Sequence, residues 1–259
     1  FTLISPILLG IAARGGFQLI PINESSAYFS SSTVVNHAAV NSVWYLGNTI
    51  WSHDANENKY QFMQEKNAEL LVNNLFKTTS DSIPRIVNTE QPNIIFLILE
   101  SHTADVMNSL GGEKGVCPTL DSLASVGLLF TQIYGSGMRT DQGLVSILSG
   151  FPAQPDQSII KHTSKVSKLP SLYKDLSSHG YHSSFYYGGE IEFANIGAYL
   201  RQSGIEKISD IEDYSTAQLN SKWGAHDEFV LNKQLSDLSN EQQPFFSVVL
   251  TLTNHEPFE

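Results

Sequence analysis

Three polar residues of this 259-residue chain stand where apolar runs stop or helical patterns begin. Glu100 closes Pro92-Asn-Ile-Ile-Phe-Leu-Ile-Leu99, a run that reads as a strand buried on both faces. Thr140 follows the glycine-bearing turn Gly135-Ser-Gly-Met-Arg139 and opens a helical pattern. Asn254-His255 follows the last apolar run, 244–252. In an open α/β sheet the ligand sits beyond the carboxyl ends of the strands, so an acid there is placed for chemistry or metal binding. A helix N-terminus offers unpaired N–H groups and a positive dipole end, which bind anions and stabilise an alkoxide, so a hydroxyl there can be a nucleophile. Each residue also has a plainer reading: Thr140 as an N-cap, Glu100 as a solvated strand end, His255 as a loop histidine bonded to backbone. Joint placement at one edge of one sheet favours the chemical reading.

The elements that must hold these residues follow from the pattern after residue 91. Strands are expected at 93–99, 181–187 and 244–252, with helices at 118–125, 140–148, 169–179, 191–202 and 226–238 and a further apolar run at 126–134. Repeated strand–helix–strand units of this length give an α/β fold with a mainly parallel sheet and helices on both faces. No internal repeat or low-complexity tract interrupts it.

Residues 14–91 are polar and rich in Asn and Ser, and read as a helical connector with helices near 34–51 and 58–75. Trp44, Tyr45 and Trp51 are expected to fill a packing seam there. Residues 1–13 are apolar and uncharged up to Ala13, yet shorter than the ~20 residues of a spanning helix. They could form a core helix or the tail of a membrane span.

The formal charge of −11, from 15 basic and 26 acidic residues, excludes the clustered cations that nucleic-acid binding needs. One cysteine, Cys117, leaves no internal disulfide and no Cys-based zinc cluster, and is expected as a small buried hydrophobe.

Six blocks in order carry a family resemblance: Pro92-Asn-Ile-Ile-Phe-Leu-Ile-Leu-Glu100-Ser101, Cys117-Pro-Thr-Leu-Asp121-Ser-Leu-Ala, Gly127-Leu-Leu-Phe130, Gly137-Met-Arg-Thr140, Leu148-Ser-Gly150-Phe-Pro152 and Leu252-Thr-Asn-His255-Glu-Pro-Phe258. Together they resemble the lipoteichoic acid synthase-like, phosphoglycerol transferase branch of the sulfatase and alkaline phosphatase superfamily. The resemblance implies an incomplete sulfatase-like catalytic domain over 92–259, an extracytoplasmic connector over 14–91, and the end of a transmembrane helix over 1–13. It places the enzyme at a bacterial cytoplasmic membrane with its catalytic domain on the periplasmic or outer face. A phospholipid is the implied donor, and a glycan or lipid the acceptor.

The same resemblance implies roles for particular residues. Glu100 matches a metal-binding carboxylate, and Thr140 a threonine that contacts the metal and attacks phosphorus. His255 matches a substrate-contacting histidine. Arg139 could hold a phosphate oxygen or sit in a surface ion pair. The implied cofactor is a divalent ion, Mn²⁺ ahead of Mg²⁺ or Zn²⁺, since the donor types suit all three. Such an ion lowers the hydroxyl's pKa and neutralises charge developing on phosphoryl oxygens.

Departures from the family pattern qualify these roles. Formylglycine sulfatases carry a Pro two residues and an Arg four residues after the reactive position, where this chain has Gln142 and Leu144, so sulfate ester hydrolysis is disfavoured. The family's remaining ligands, an Asp-His pair and another acid, have no match up to Glu259; they are expected beyond it, leaving this chain alone inactive. Asp227 suits a cap or dipole partner better than a substitute ligand. A Trp-x-Arg pair that grips glycerol phosphate in Gram-positive synthases is replaced by Ala194 and Ile196, and Glu190 becomes a candidate for contacting a hydroxyl or amine of the substrate. Two alternatives stay open: a phosphodiesterase, phosphonate hydrolase or sulfatase-like hydrolase on the same scaffold, and a degenerate domain that only binds lipid or a partner.

Overall fold

A computed structural model of the chain describes residues 4–18, 20–51, 61–77, 85–155 and 157–258. Residues 1–40 with 93–259 form one compact unit, and residues 41–92 a second. The helices are α1 (Ile4–Arg14), α2 (Thr33–Ala39), α3 (Ser42–Trp51), α4 (Glu65–Leu75), α5 (Pro118–Val126), α6 (Thr140–Ser149), α7 (Thr163–Val166), α8 (Leu172–Ser177), α9 (Ile196–Gln202) and α10 (Asp227–Leu238). The strands are β1 (Ile94–Ile98), β2 (His182–Tyr187), β3 (Lys207–Ser209) and β4 (Phe245–Leu250).

All strand pairs are parallel, in the order β1-β4-β2-β3. This is the α/β fold expected from the alternating pattern. Alternate residues of the two central strands face opposite layers, as the two-residue period requires. Phe185, Tyr187, Phe246, Val248 and Leu250 join Leu144, Leu148, Tyr173 and Tyr199 from α6, α8 and α9 in one core cluster. Tyr186 and Val249 join Val230 of α10 and Tyr214 on the other side.

Register sets the level of the active edge. Ile98, Leu250 and Tyr187 pair in one row across β1, β4 and β2, so the chain leaves all three strands at the same height. Glu100, Leu252 and Gly189 each lie two residues past that row. Gly188 is needed there, because a Cβ at this position would stand 2.2 Å from the carbonyl oxygen of Ala225.

Several expectations are corrected. β1 is buried on one face only: Ile94, Phe96 and Ile98 pack on the core, while Ile95 and Leu97 are 51% and 46% exposed. The apolar run 126–134 forms no strand, and Phe130, Ile133 and Tyr134 are exposed. Cys117 is half-buried rather than buried. The helix expected over 34–51 is two helices: α2 stops at Ala39, and Asn41 accepts hydrogen bonds from the N–H groups of Val43 and Trp44 to start α3. The expected start of the next helix at 58–60 lies outside the described residues, and α4 begins at Glu65.

Residues 1–3 of the expected span end also lie outside the described residues. α1 has 11 residues, about 16 Å at the helical rise, against a hydrocarbon core of ~30 Å. Among the described residues no helix is long and apolar enough to cross a membrane. Beyond α1, residues 23–36 are built into the first unit. Ser25 Oγ accepts from Ala198 N at 2.9 Å, Asn23 Nδ2 donates to Glu192 O, and the Thr163 hydroxyl donates to the Glu24 carboxylate. Asn36 is fully buried, clamping the backbone of Phe29 and Ser30.

Candidate active site

Thr140 is the first residue of α6, and Arg139, in extended conformation, is the N-cap. The Thr140 hydroxyl donates to Glu100 Oε2 at 2.9 Å, across 40 residues of sequence. The other carboxylate oxygen, Oε1, accepts a longer bond of 3.4 Å from Ser101 Oγ. Ser101 has φ +53, a left-handed conformation costly for a residue with a Cβ, which turns the chain sharply after β1. Thr251 fixes the same point from β4: its Oγ1 accepts from Glu100 N at 2.7 Å and its N–H donates to Ile98 O. Glu100 is therefore held at side chain and backbone.

The turn before Thr140 is equally constrained. A Cβ on Gly137 would meet Gln142 Cβ at 2.5 Å and Ala153 Cβ at 2.9 Å, so the close approach requires glycine. Gln142 accepts from Met138 N and donates to Gln154 O, bracing the turn. Leu144 is 1% exposed in the core. The two positions that formylglycine chemistry would use are thus a turn brace and a packing residue.

His255 sits on the loop after β4. Its ring lies 4.6 Å from the Trp223 ring, and its Nδ1 is 2.8 Å from Glu256 O. A carbonyl can only accept, so Nδ1 is the donor in this contact and Nε2 is left for other partners. Asp227 holds this loop in place. Its carboxylate accepts from Leu252 N at 2.6 Å and Thr253 N at 3.1 Å, while Asp227 N donates to Thr253 Oγ1. His226 is the N-cap of α10, so Asp227 is a first-turn acid that ties helix to loop.

Glu100, Arg139, Thr140 and His255 line one open cavity of about 530 Å³. Met138, Asp141, Lys161, Phe193 and Ala194 complete its walls. Glu190 is not among them: it lines a second cavity of about 230 Å³ with Glu192 and Glu212. Ile196 is also withdrawn, at 1% exposure. Beneath the edge, Tyr187 is buried, and burial first, then the charges of Glu100, Asp227 and Glu190, push its phenol well above the usual range. It stays a protonated donor at any physiological pH.

Sequence reasoning missed Lys161 and Asp141. Lys161 carries no local signal, being an unremarkable cation after Ile159-Ile160; only folding brings it to Thr140. Asp141 could have been suspected as a first-turn acid. It is 5% exposed, and its Oδ1 has no hydrogen-bond partner.

A divalent ion fits the donors in part. Glu100 and Thr140 present two hard oxygens 2.9 Å apart, and Asp141 also lines the cavity. Among the described residues no group of three or more His, Cys, Asp or Glu side chains could hold a metal. The residues present thus supply one side of a coordination shell.

On this parallel sheet a carboxylate just past a strand thus faces a hydroxyl at a helix N-terminus. The chain belongs to the sulfatase family, whose model matches residues 92–259. It is 28% identical over 171 residues to the lipoteichoic acid synthase-like YvgJ of Bacillus subtilis, covering 64% of this chain and 27% of that protein. The crystal structure of a protein in the alkaline phosphatase superfamily from Vibrio parahaemolyticus superposes with a TM-score of 0.62 at 33% identity, covering 68% of this chain and 44% of that one. The lipoteichoic acid synthase LtaP from Listeria monocytogenes shares the fold, with a TM-score of 0.56 at 18% identity over 64% of this chain and 41% of its own. The chain thus spans about a quarter of the length of the B. subtilis relative and under half of either solved domain.

Proposed function

We propose that this chain carries the nucleophile-bearing part of an enzyme that transfers a phosphoglycerol-type head group from a phospholipid to a cell-envelope acceptor. The observation that carries the reading is the 2.9 Å hydrogen bond from Thr140 Oγ1 to Glu100 Oε2 at the N-terminus of α6. The lipoteichoic acid synthase names among its relatives support the substrate class.

In the proposed first step the Thr140 hydroxyl gives up its proton to solvent as its oxygen attacks the lipid phosphorus, the phosphorus–oxygen bond to diacylglycerol breaks, and the leaving alkoxide takes up a proton from solvent. Glu100 accepts a hydrogen bond from the Thr140 hydroxyl in the ground state and holds it in place. The N–H groups of the first turn of α6 favour the anion formed at that oxygen. The product is a phosphothreonine diester. In the second step an acceptor hydroxyl attacks the same phosphorus, the bond to Thr140 breaks, and the threonine hydroxyl is restored. Arg139 offers its guanidinium to the phosphoryl oxygens, and His255 Nε2 is available to the head group or the incoming hydroxyl. A divalent ion, Mn²⁺, Mg²⁺ or Zn²⁺, would be held by Glu100 and Thr140 with ligands from elsewhere in the whole protein, and would acidify the hydroxyl and neutralise phosphoryl charge. The reading places the active domain outside the cytoplasmic membrane.

Mass spectrometry of the full-length protein after incubation with phosphatidylglycerol tests it. A glycerophosphoryl adduct on Thr140, with release of diacylglycerol, is expected. An adduct on another residue, or undiminished turnover by Thr140→Ala, overturns it.

A further inference from the structure

Lys161 is the cavity cation that neither the motifs nor the proposed steps use. It lies 21 residues beyond Thr140 and ends the short turn Ile159–Lys161. The root of that turn is fixed: Ile160 is fully buried, and Ile160 O accepts from Asn195 Nδ2 at 3.5 Å. Asn195 belongs to the facing segment Phe193–Asn195, where Ala194 and Asn195 hold consecutive left-handed conformations at φ +52 and +64. Two non-glycine residues rarely adopt this conformation in succession, so packing must impose it.

That facing segment brings no charge to the cavity. Phe193 and Ala194 line it, and Ile196 is withdrawn into the core. Positive charge is therefore supplied from the Lys161 side and from Arg139. Among the described residues neither cation has a carboxylate within the 4.0 Å of the longest ion pair formed. In a chain of net charge −11, this one cavity gathers two cations. Arg139 adjoins the nucleophile, so it serves the reacting phosphate. Lys161 comes from another element, the turn packed against the Phe193–Asn195 segment.

We propose that Lys161 is a specificity-determining residue that binds the head group, donating to its hydroxyl and phosphate oxygens, and excludes cationic head groups. This rests on the transferase reading above. An ammonium offers up to three donors to a polyol phosphate, and it repels a second ammonium such as that of ethanolamine.

The test uses full-length protein and vesicles containing phosphatidylglycerol or phosphatidylethanolamine, reading diacylglycerol release. Lys161→Gln is expected to raise KM for phosphatidylglycerol by about 10- to 100-fold, the worth of a charge-assisted hydrogen bond, while kcat stays within about threefold. Lys161→Arg restores KM, and Lys161→Glu moves preference toward phosphatidylethanolamine. A KM change below about tenfold, or no recovery with arginine, overturns the proposal. Calorimetric titration with sn-glycerol phosphate provides a separate arm. Binding weakened at least about tenfold by Lys161→Gln supports the proposal, and equal affinity, or no binding by the unaltered protein, overturns it. If the unaltered protein turns over neither lipid, the transferase reading fails while the titration still decides the role of Lys161.

Discussion

Two cavities of the first unit differ in charge as sharply as in size. The larger, at about 530 Å³, sets Arg139 and Lys161 against Glu100 and Asp141. The smaller, at about 230 Å³, gathers Glu190, Glu192 and Glu212 with no cation on its wall. Burial pushes the Glu192 carboxyl up from its ordinary range, and does the same to Asp210 nearby. Both groups bear a cost of charge where they stand. Under the proposed function a phosphodiester, itself an anion, suits the first cavity, which has cations on its wall, rather than the second. Glu190 is thus separated from the chemistry, although it lies only three residues past β2.

If the larger cavity alone is the reactive one, Thr140→Ala lowers phosphatidylglycerol turnover by about 10³-fold or more, whereas Thr140→Ser keeps a measurable fraction. Glu100→Gln costs about 100-fold or more, and dialysis against a chelator abolishes turnover until a divalent ion is returned, read by the same diacylglycerol assay. Asp227→Ala leaves the N–H groups of Leu252 and Thr253 without their acceptor. Thermal unfolding should show a loss of about 1–3 kcal/mol, with a raised KM because the loop bearing His255 loses its anchor.

Substitutions in the smaller cavity should affect stability and leave rate alone. Because the folded pKa of Glu192 lies above its unfolded value, the unaltered protein gains stability as pH falls through the folded pKa. The gain is complete below the ordinary value of 4.5. Glu192→Gln should therefore raise the Tm by roughly 1–3 °C at pH 8, with the difference closing toward pH 4.5. Glu190→Gln should change kcat/KM by less than about twofold; a drop beyond tenfold would join the two cavities into one functional site.

Much of the larger cavity was legible from the chain. Glu100 and His255 end apolar runs, and Thr140 opens an amphipathic helix after a glycine turn, so local pattern placed each at the carboxyl edge of a parallel sheet. Family likeness then supplied their roles. The alternative that Thr140 caps its own helix fails on geometry, because Arg139 takes the cap position and the hydroxyl reaches Glu100 instead. Glu190 was reached by the same logic as Glu100, yet it lines the smaller cavity. Both follow strands, but the chain turns away after Gly188-Gly189, and nothing in the order of residues records the direction of that turn.

Periodicity and strand-end chemistry are properties of neighbouring residues, so the α/β class, the parallel sheet and the identity of Glu100, Thr140 and His255 as the residues to watch could be read from sequence. Contacts between distant segments are not. Packing placed Lys161 opposite Phe193 and Ala194, left Asp141 with an unpartnered oxygen, anchored the His255 loop through Asp227, and left one face of β1 exposed. Each of these depends on which segments the closed sheet brings within a few ångströms of one another, and that distance is set by the whole fold.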